Sequence, residues 1–179
     1  MKFMPIIAAG LIATSIATAS FAAGSGDGAT PKPTKTTKEC KKGKVWDKKK
    51  KRCINAKLGM FSDDFIYENA RELAYDNQFE HAIKLLHLAA NPLDPRILNY
   101  LGFANRKAGN TALAMKYYRQ ALTINPDYIL ARSYMGQALV LEGDIDGAWE
   151  QLAEIADRGG KESWSYVALK QSIAGTITY

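Results

Sequence analysis

The sequence predicts an all-α protein built from about three stacked helix pairs and a C-terminal capping helix. From residue 62 onward, apolar side chains recur at spacings of three and four, the period of one helical face. Within this region the pattern repeats after 34 residues, a length that suits two helices and their connections. Small residues recur at the same place in each copy, where the helices of a pair would cross closely. Such a chain is expected to stack its pairs into a solenoid.

The second copy, residues 95–128, shows the pattern most fully. The third copy, residues 129–162, repeats its small residues and glycines 34 positions later. The first copy, residues 63–94, aligns with a shift of 32, and the two missing residues fall between Ala82 and Asn91. We therefore expect a short second helix in the first pair. The residues that define the pattern in the second copy are Leu98, Leu101, Gly102, Gly109, Ala114, Tyr118, Ala121, Leu122 and Pro126.

This pattern resembles the tetratricopeptide repeat family. The second copy carries an L-x-x-L-G run, a second glycine seven residues on, an A-x-x-x-Y-x-x-A-L segment and a closing proline. The third copy lacks the closing proline, and the first has Asn69 where a large apolar residue is usual. The resemblance implies a right-handed α–α superhelix whose concave face binds polypeptides. Residues 163–179 then form a capping helix and tail that cover the apolar end of the stack.

The concave face is the predicted partner-binding groove. In this family the first helix of each pair lines that face, so the resemblance selects residues on that helix opposite its packing side. Aromatic, arginine and amide side chains are of the kind that captures peptides. The alternative is an ordinary solvated surface with some aromatic packing. The residues selected are Tyr67, Arg71, Asn99, Phe103, Arg106, Ser133, Tyr134 and Gln137.

The first residues predict export. Lys2 gives a positive start, Phe3–Ala17 is an apolar run, and small side chains at Ser20 and Ala22 mark a cleavage site. We expect residues 1–22 to be a signal peptide, and the protein to be periplasmic or secreted after cleavage near Ala22. The alternative is an uncleaved membrane anchor, because the apolar stretch approaches the ~20 residues that a bilayer span needs.

Charge divides the rest of the chain in two. Residues 24–57 contain twelve Lys/Arg and three acids, a balance of +9. Residues 59–179 contain eleven Lys/Arg and fifteen acids, a balance of −4. The predicted linker, residues 23–38, has no aliphatic side chain larger than alanine and is expected to be flexible.

Residues 39–57 are predicted to form a small hairpin closed by a disulfide. Cys40 and Cys53 are the only cysteines, and export would place them in an oxidising compartment. Residues 43–46 and 52–54 read as two short strands, which could hardly persist as a hairpin without a cross-link. A disulfide closing such a loop contributes about 3 kcal/mol in the chain-entropy model.

The hairpin presents one tryptophan among many cations. We predict that it binds anionic envelope polymers or lipid headgroups, because an exported protein rarely meets nucleic acid. The alternative is a solvated spacer whose lysines keep it soluble. The residues concerned are Lys41, Lys42, Lys44, Trp46, Lys48, Lys49, Lys50, Lys51 and Arg52.

The sequence offers little support for catalysis. The two histidines, His81 and His87, are six residues apart on one predicted helix and so point to different sides. We expect a non-enzymatic adaptor of the bacterial cell envelope, a monomer or weak dimer, that holds a protein or peptide without cofactor, metal or nucleic acid. The alternative is a surface-binding module in which the hairpin provides the main affinity.

Overall fold

A computed structural model describes residues 30–175, which form eight helices and one two-stranded hairpin. The predicted signal peptide lies outside the described residues. Within that range no helix is both long and apolar enough to cross a membrane. The elements are α1 (Lys35–Glu39), β1 (Val45–Asp47), β2 (Arg52–Ile54), α2 (Asp63–Tyr75), α3 (Phe79–Leu86), α4 (Pro95–Lys107), α5 (Thr111–Ile124), α6 (Ile129–Glu142), α7 (Ile145–Asp157) and α8 (Trp164–Ile173).

Three helix pairs make up the body, as predicted. Helices α2 and α3, α4 and α5, and α6 and α7 pack as pairs, and the second helix of each pair also contacts the first helix of the next. Helix α8 covers the end of the stack by packing on both α6 and α7. The shortened helix of the first pair is confirmed, since α3 has 8 residues whereas α5 has 14.

Local sequence signals fix where the helices begin and end. The Asp94 carboxylate accepts a hydrogen bond from the Arg96 backbone N–H at 2.8 Å, and Pro95 opens α4. Gly109 and Gly143 leave α4 and α6 with φ of 88° and 82°, a left-handed conformation that costs other residues more. These residues therefore determine where α4 begins and where α4 and α6 end.

Helices α4 and α5 approach each other closely at Gly102. A Cβ built there would lie 2.4 Å from Cε1 of Tyr118, whose side chain is fully buried on α5. The recurring small residue is therefore needed to let an aromatic ring from the partner helix fill the space between the two helices.

We predict that Gly102→Ala lowers the free energy of unfolding by about 1–3 kcal/mol through overpacking. This loss outweighs the gain of up to about 1 kcal/mol in helix propensity from alanine. Urea denaturation measures it. In a Tyr118→Leu background the same change should cost less or stabilise, because the ring it strikes is gone. An equal cost in both backgrounds would contradict this account.

The prediction of a flexible linker over residues 23–38 is wrong for its last part. Lys35–Glu39 is helical, and Thr36 is only 1% exposed. The segment's lack of large apolar side chains predicted flexibility, because such a segment cannot bury enough apolar surface to become ordered. It is ordered instead by hydrogen bonds from threonine hydroxyls and backbone N–H groups to Glu72 and Asn69 on α2. Residues 23–29 lie outside the described part.

The hairpin forms as predicted but is not a separate element. Val45 pairs with Ile54, and the Cys40–Cys53 disulfide is present. Val45 is fully buried in the main apolar core, and Ile54 packs against that core. We call residues 34–54, which comprise α1 and the hairpin, the N-terminal cap. This cap covers the first helix pair much as α8 covers the last.

Candidate partner-binding surface

The eight predicted groove residues come together, but they do not line an open groove. All lie on α2, α4 and α6, the inner helices of the stack. Seven of them are at most 6% exposed, and only Arg71 is half-buried. The prediction was wrong about accessibility because neighbouring inner helices approach closely enough for these side chains to interdigitate.

An aromatic row crosses the inner helices and explains this burial. Its rings are Tyr75 of α2, Phe103 of α4, Tyr134 of α6 and Trp164 of α8. Successive ring centroids are 5.5, 5.0 and 6.2 Å apart, within the range of favourable aromatic pairs. We call this set the inner aromatic row. It joins the inner helices α2, α4 and α6 to α8 through successive ring contacts.

Arg106 is built into the row. Its guanidinium carbon lies 5.7 Å from the centroid of the Phe103 ring and 5.9 Å from that of Tyr134, so the cation faces both rings. Its Nη2 donates a hydrogen bond to Oε1 of Gln137 at 3.2 Å. An arginine held this way organises the interior, and its charge is less available to a partner than the sequence suggested.

A polar chain ties α8 to the same network. Gln137 Nε2 donates to Oγ of Ser133 at 3.3 Å, and Ser133 Oγ donates to the backbone carbonyl of Ser165 at 2.7 Å. These side chains are buried, so breaking one link would leave a polar group without water. The predicted groove residues Ser133 and Gln137 therefore anchor the C-terminal helix.

The buried phenols in this region are neutral. Burial is the main reason that the pKa of Tyr134 lies well above its ordinary value. Burial also raises the pKa of Tyr100. Tyr75 and Tyr134 share a hydrogen bond between their hydroxyls at 3.0 Å, and Arg71 Nε donates to the Tyr100 hydroxyl at 2.9 Å. The row thus combines apolar faces with paired hydroxyls.

The inner surface exposes the two ends of the inner aromatic row, Tyr75 and Trp164, and the cation Arg71. Tyr75 and Arg71 are half-buried, and Trp164 is 36% exposed. Tyr75 was not among the predicted groove residues, although it follows Arg71 by four residues and so shares its helical face. Trp164 falls within residues 163–179, which the sequence assigns to the capping helix and tail. These three side chains are the accessible part of the candidate surface.

The nine predicted anion-binding residues behave differently. The lysines and Arg52 are exposed and Trp46 is half-buried. Lys50 is the one cation of this set that forms an ion pair within the described residues, with Asp47 at 3.8 Å. The pKa of Asp47 is lowered, mainly by the hydrogen bond from the backbone N–H of Lys50. The backbone N–H of Lys49 lowers this pKa further. The turn is thereby held so that its lysines face water.

A second exposed strip lies on the outside of the third pair. Ile145 and Trp149 are one turn apart on α7 and are 40% and 50% exposed. Periodicity did not single out this strip, because exposed apolar residues on a helix do not disturb its core-facing pattern. Because α7 is the second helix of its pair, this strip lies on a different helix from the candidate surface and can serve as a control.

Comparison with known proteins agrees with the repeat architecture. Residues 105–173, from late α4 through α8, match the family described as tetratricopeptide repeat. The chain is also 31% identical over 77 residues to a "Probable biofilm formation methyltransferase WspC" from Pseudomonas putida, strain KT2440. That match covers 43% of this chain and 18% of the relative, so the chain spans less than a fifth of that protein's length.

Proposed function

Because the chain is a tetratricopeptide repeat protein, we propose that it is a non-enzymatic adaptor of the bacterial cell envelope. Tetratricopeptide repeats generally mediate protein–protein interaction. The partner would be a polypeptide segment laid across the inner helices. The relative's methyltransferase name is no part of this proposal, because less than a fifth of that protein is matched.

The inner aromatic row supports the proposal most directly. Its two ends, Tyr75 and Trp164, remain partly exposed although they pack against buried rings, Tyr75 stacked on Phe103 and Trp164 edge-on to Tyr134. Arg71 lies over the Tyr75 ring. Rings fixed by packing lose little conformational entropy when they bind. Tryptophan, tyrosine and arginine are also the residues enriched at binding hot spots. A segment with apolar side chains and an acidic group would match this surface.

Export is part of the proposal and is supported by the disulfide. The Cys40–Cys53 bond lies in the N-terminal cap, and bonds of this kind persist in oxidising compartments. Together with the predicted signal peptide, residues 1–22, this favours a periplasmic or secreted location. Immunoblotting of cell fractions, with the mature N-terminus sequenced, tests it. An uncleaved chain in the cytoplasm would contradict it.

We predict that a photo-crosslinking amino acid at position 75 captures the partner, whereas the same residue at position 149 does not. Both positions expose part of an aromatic side chain, but Tyr75 lies on an inner helix and Trp149 on the outer face of α7. Crosslinking in intact cells followed by mass spectrometry reads the result. Capture from position 149 but not from position 75 would indicate that the partner binds the outside of the stack instead.

The matched alanine variants sharpen this test. Trp164→Ala should reduce the crosslink yield from position 75 by about 30-fold, which corresponds to the loss of about 2 kcal/mol at a binding hot spot. Trp149→Ala removes an equally large exposed ring and should leave the yield unchanged. Both variants should keep the far-ultraviolet circular dichroism of the parent, which shows that the repeats are intact.

A second candidate function is favoured by the N-terminal cap. Its turn presents Lys48, Lys49 and Lys51 to solvent, and Arg52 at the start of β2 is also exposed, all four without ion pairs among the described residues. We propose that this surface binds an anionic envelope polymer or lipid headgroups, with affinity that falls as salt rises. Sedimentation with purified cell wall or anionic vesicles at low and high salt tests this candidate. Equal sedimentation at both salts would contradict it.

A further inference from the structure

A cleft lies between the N-terminal cap and α2. Its volume is about 200 Å³, and its walls include the indole of Trp46 from β1 and the phenyl ring of Phe65 from α2. Lys35, Lys48 and Glu68 stand at its edge. The cleft exists only because the cap is docked on the repeats, so neither part would form it alone.

The polar groups on the floor of the cleft are already satisfied. Thr36 Oγ1 donates to Oδ1 of Asn69 at 2.6 Å, and Thr34 Oγ1 donates to Glu72 at 2.7 Å. The groups still available to a ligand are therefore those at the edge. Glu68 is exposed and makes no ion pair or hydrogen bond in the part of the chain that the structure describes.

The edge combines two ammonium groups with an aromatic platform. Lys35 Nζ lies 4.5 Å from the centroid of the Trp46 ring, and its side chain is 56% exposed, so it can turn toward a bound anion. Lys35 also contacts Glu39, a solvated pair of small energy that an incoming carboxylate can replace. Lys48 is exposed and directly follows the end of β1, the strand that carries Trp46. The cleft thus offers apolar flat walls, two cations and one hydrogen-bond acceptor.

We propose that this cleft binds one acidic sugar unit of an anionic polymer. A sugar ring has a C–H face that suits an aromatic wall, hydroxyl groups that can donate to Glu68, and a carboxylate that can pair with Lys35 and Lys48. A lipid phosphate would use the cations but has no flat face for Trp46. The inference rests on the second candidate function and gives it a specific ligand class.

The test compares glucuronic acid with glucose, which differ only in the carboxylate. In the oxidised chain labelled with ¹⁵N, glucuronic acid should shift the indole N–H resonance of Trp46, and the resonances of Trp149 and Trp164 should not move. Glucose should produce a much smaller shift. Equal shifts from both sugars would overturn the assignment of an acidic ligand.

Two single substitutions separate the cleft from diffuse attraction. Lys48→Gln should weaken glucuronic acid binding about three- to five-fold, the range expected for one solvated ion pair. Lys49→Gln removes the same charge from the next residue, which does not line the cleft, and should change binding less than two-fold. Equal losses from both would overturn the proposal and leave the charge-driven surface function in place.

The two hypotheses fail in different ways. If anionic polymer sediments the full chain in a salt-dependent manner but no sugar shifts Trp46, the cleft assignment is wrong and the second candidate function stands. If polymer, anionic vesicles and sugar all fail to bind at low salt, the second candidate function fails, and the cleft proposal fails with it. Binding of the acidic sugar with the lysine pattern above supports both.

Discussion

Glu72→Ala is expected to detach the N-terminal cap and to lower the free energy of unfolding by about 3 kcal/mol. The Glu72 carboxylate accepts four hydrogen bonds, from the backbone N–H and hydroxyl groups of Thr34 and Thr37, at 2.6, 2.7, 3.2 and 2.6 Å. Hydrogen bonds to a charged group contribute about 1.5–3 kcal/mol each. Once the cap separates, water satisfies its donors again, so the total loss stays well below the sum.

Hydrogen exchange and urea denaturation together measure this effect. The amides of residues 34–39 should lose protection in Glu72→Ala, whereas those of α4 and α6 should keep theirs under native conditions. Glu68→Ala is the matched control, because Glu68 is an exposed glutamate one turn earlier on α2. It should change stability by less than about 0.5 kcal/mol. Similar protection in both variants would show that Glu72 does not hold the cap.

The docked cap shows where the sequence was informative and where it was not. The helix pairs could be predicted because their signals are local: apolar spacing, glycines at turns and small residues at crossings. The contacts of Thr34 and Thr37 with Glu72 join residues 35 to 38 positions apart and leave no periodic pattern. A threonine-rich segment looks flexible until its carboxylate partner is known.

The sequence does contain one signal that the N-terminal cap docks on α2, the polar residue Asn69. Asn69 occupies a repeat position where a large apolar residue is usual, and it is 9% exposed. Its Oδ1 accepts the hydrogen bond from Thr36, and its Nδ2 donates to the backbone carbonyl of Phe65 at 2.8 Å. A polar residue at an apolar position of the first repeat therefore marks the place where another polar element docks.

The predicted groove residues share one side of the stack, but most of them are buried and not exposed as the prediction required. Helical spacing identifies which residues share a face, but it does not give the distance to the next helix. That distance depends on side chains from two repeats at once. Here Phe103 and Tyr134 fill the gap between α4 and α6, with ring centroids 5.0 Å apart. The face that the sequence assigned to a partner is largely occupied by the protein itself.

The second large effect is expected at Tyr134. Its ring is 1% exposed and contacts the rings of Tyr100, Phe103, Tyr118 and Trp164. Replacing a buried aromatic residue by alanine typically costs 3–5 kcal/mol, so Tyr134→Ala should lower the free energy of unfolding by about that amount. A residue that only lined a solvated groove would lose less than about 0.5 kcal/mol.

Tyr134→Phe separates the ring from its hydroxyl. It removes the hydrogen bond with the Tyr75 hydroxyl, at 3.0 Å, and keeps the ring contacts, so it should cost about 1 kcal/mol. Urea denaturation at neutral pH compares the two variants. A loss below about 1 kcal/mol in Tyr134→Ala would mean that the inner helices are further apart than described and that the groove is open. A large loss in Tyr134→Ala with a small one in Tyr134→Phe would assign Tyr134 to the core, leaving Arg71, Tyr75 and Trp164 as the surface on which a partner can act.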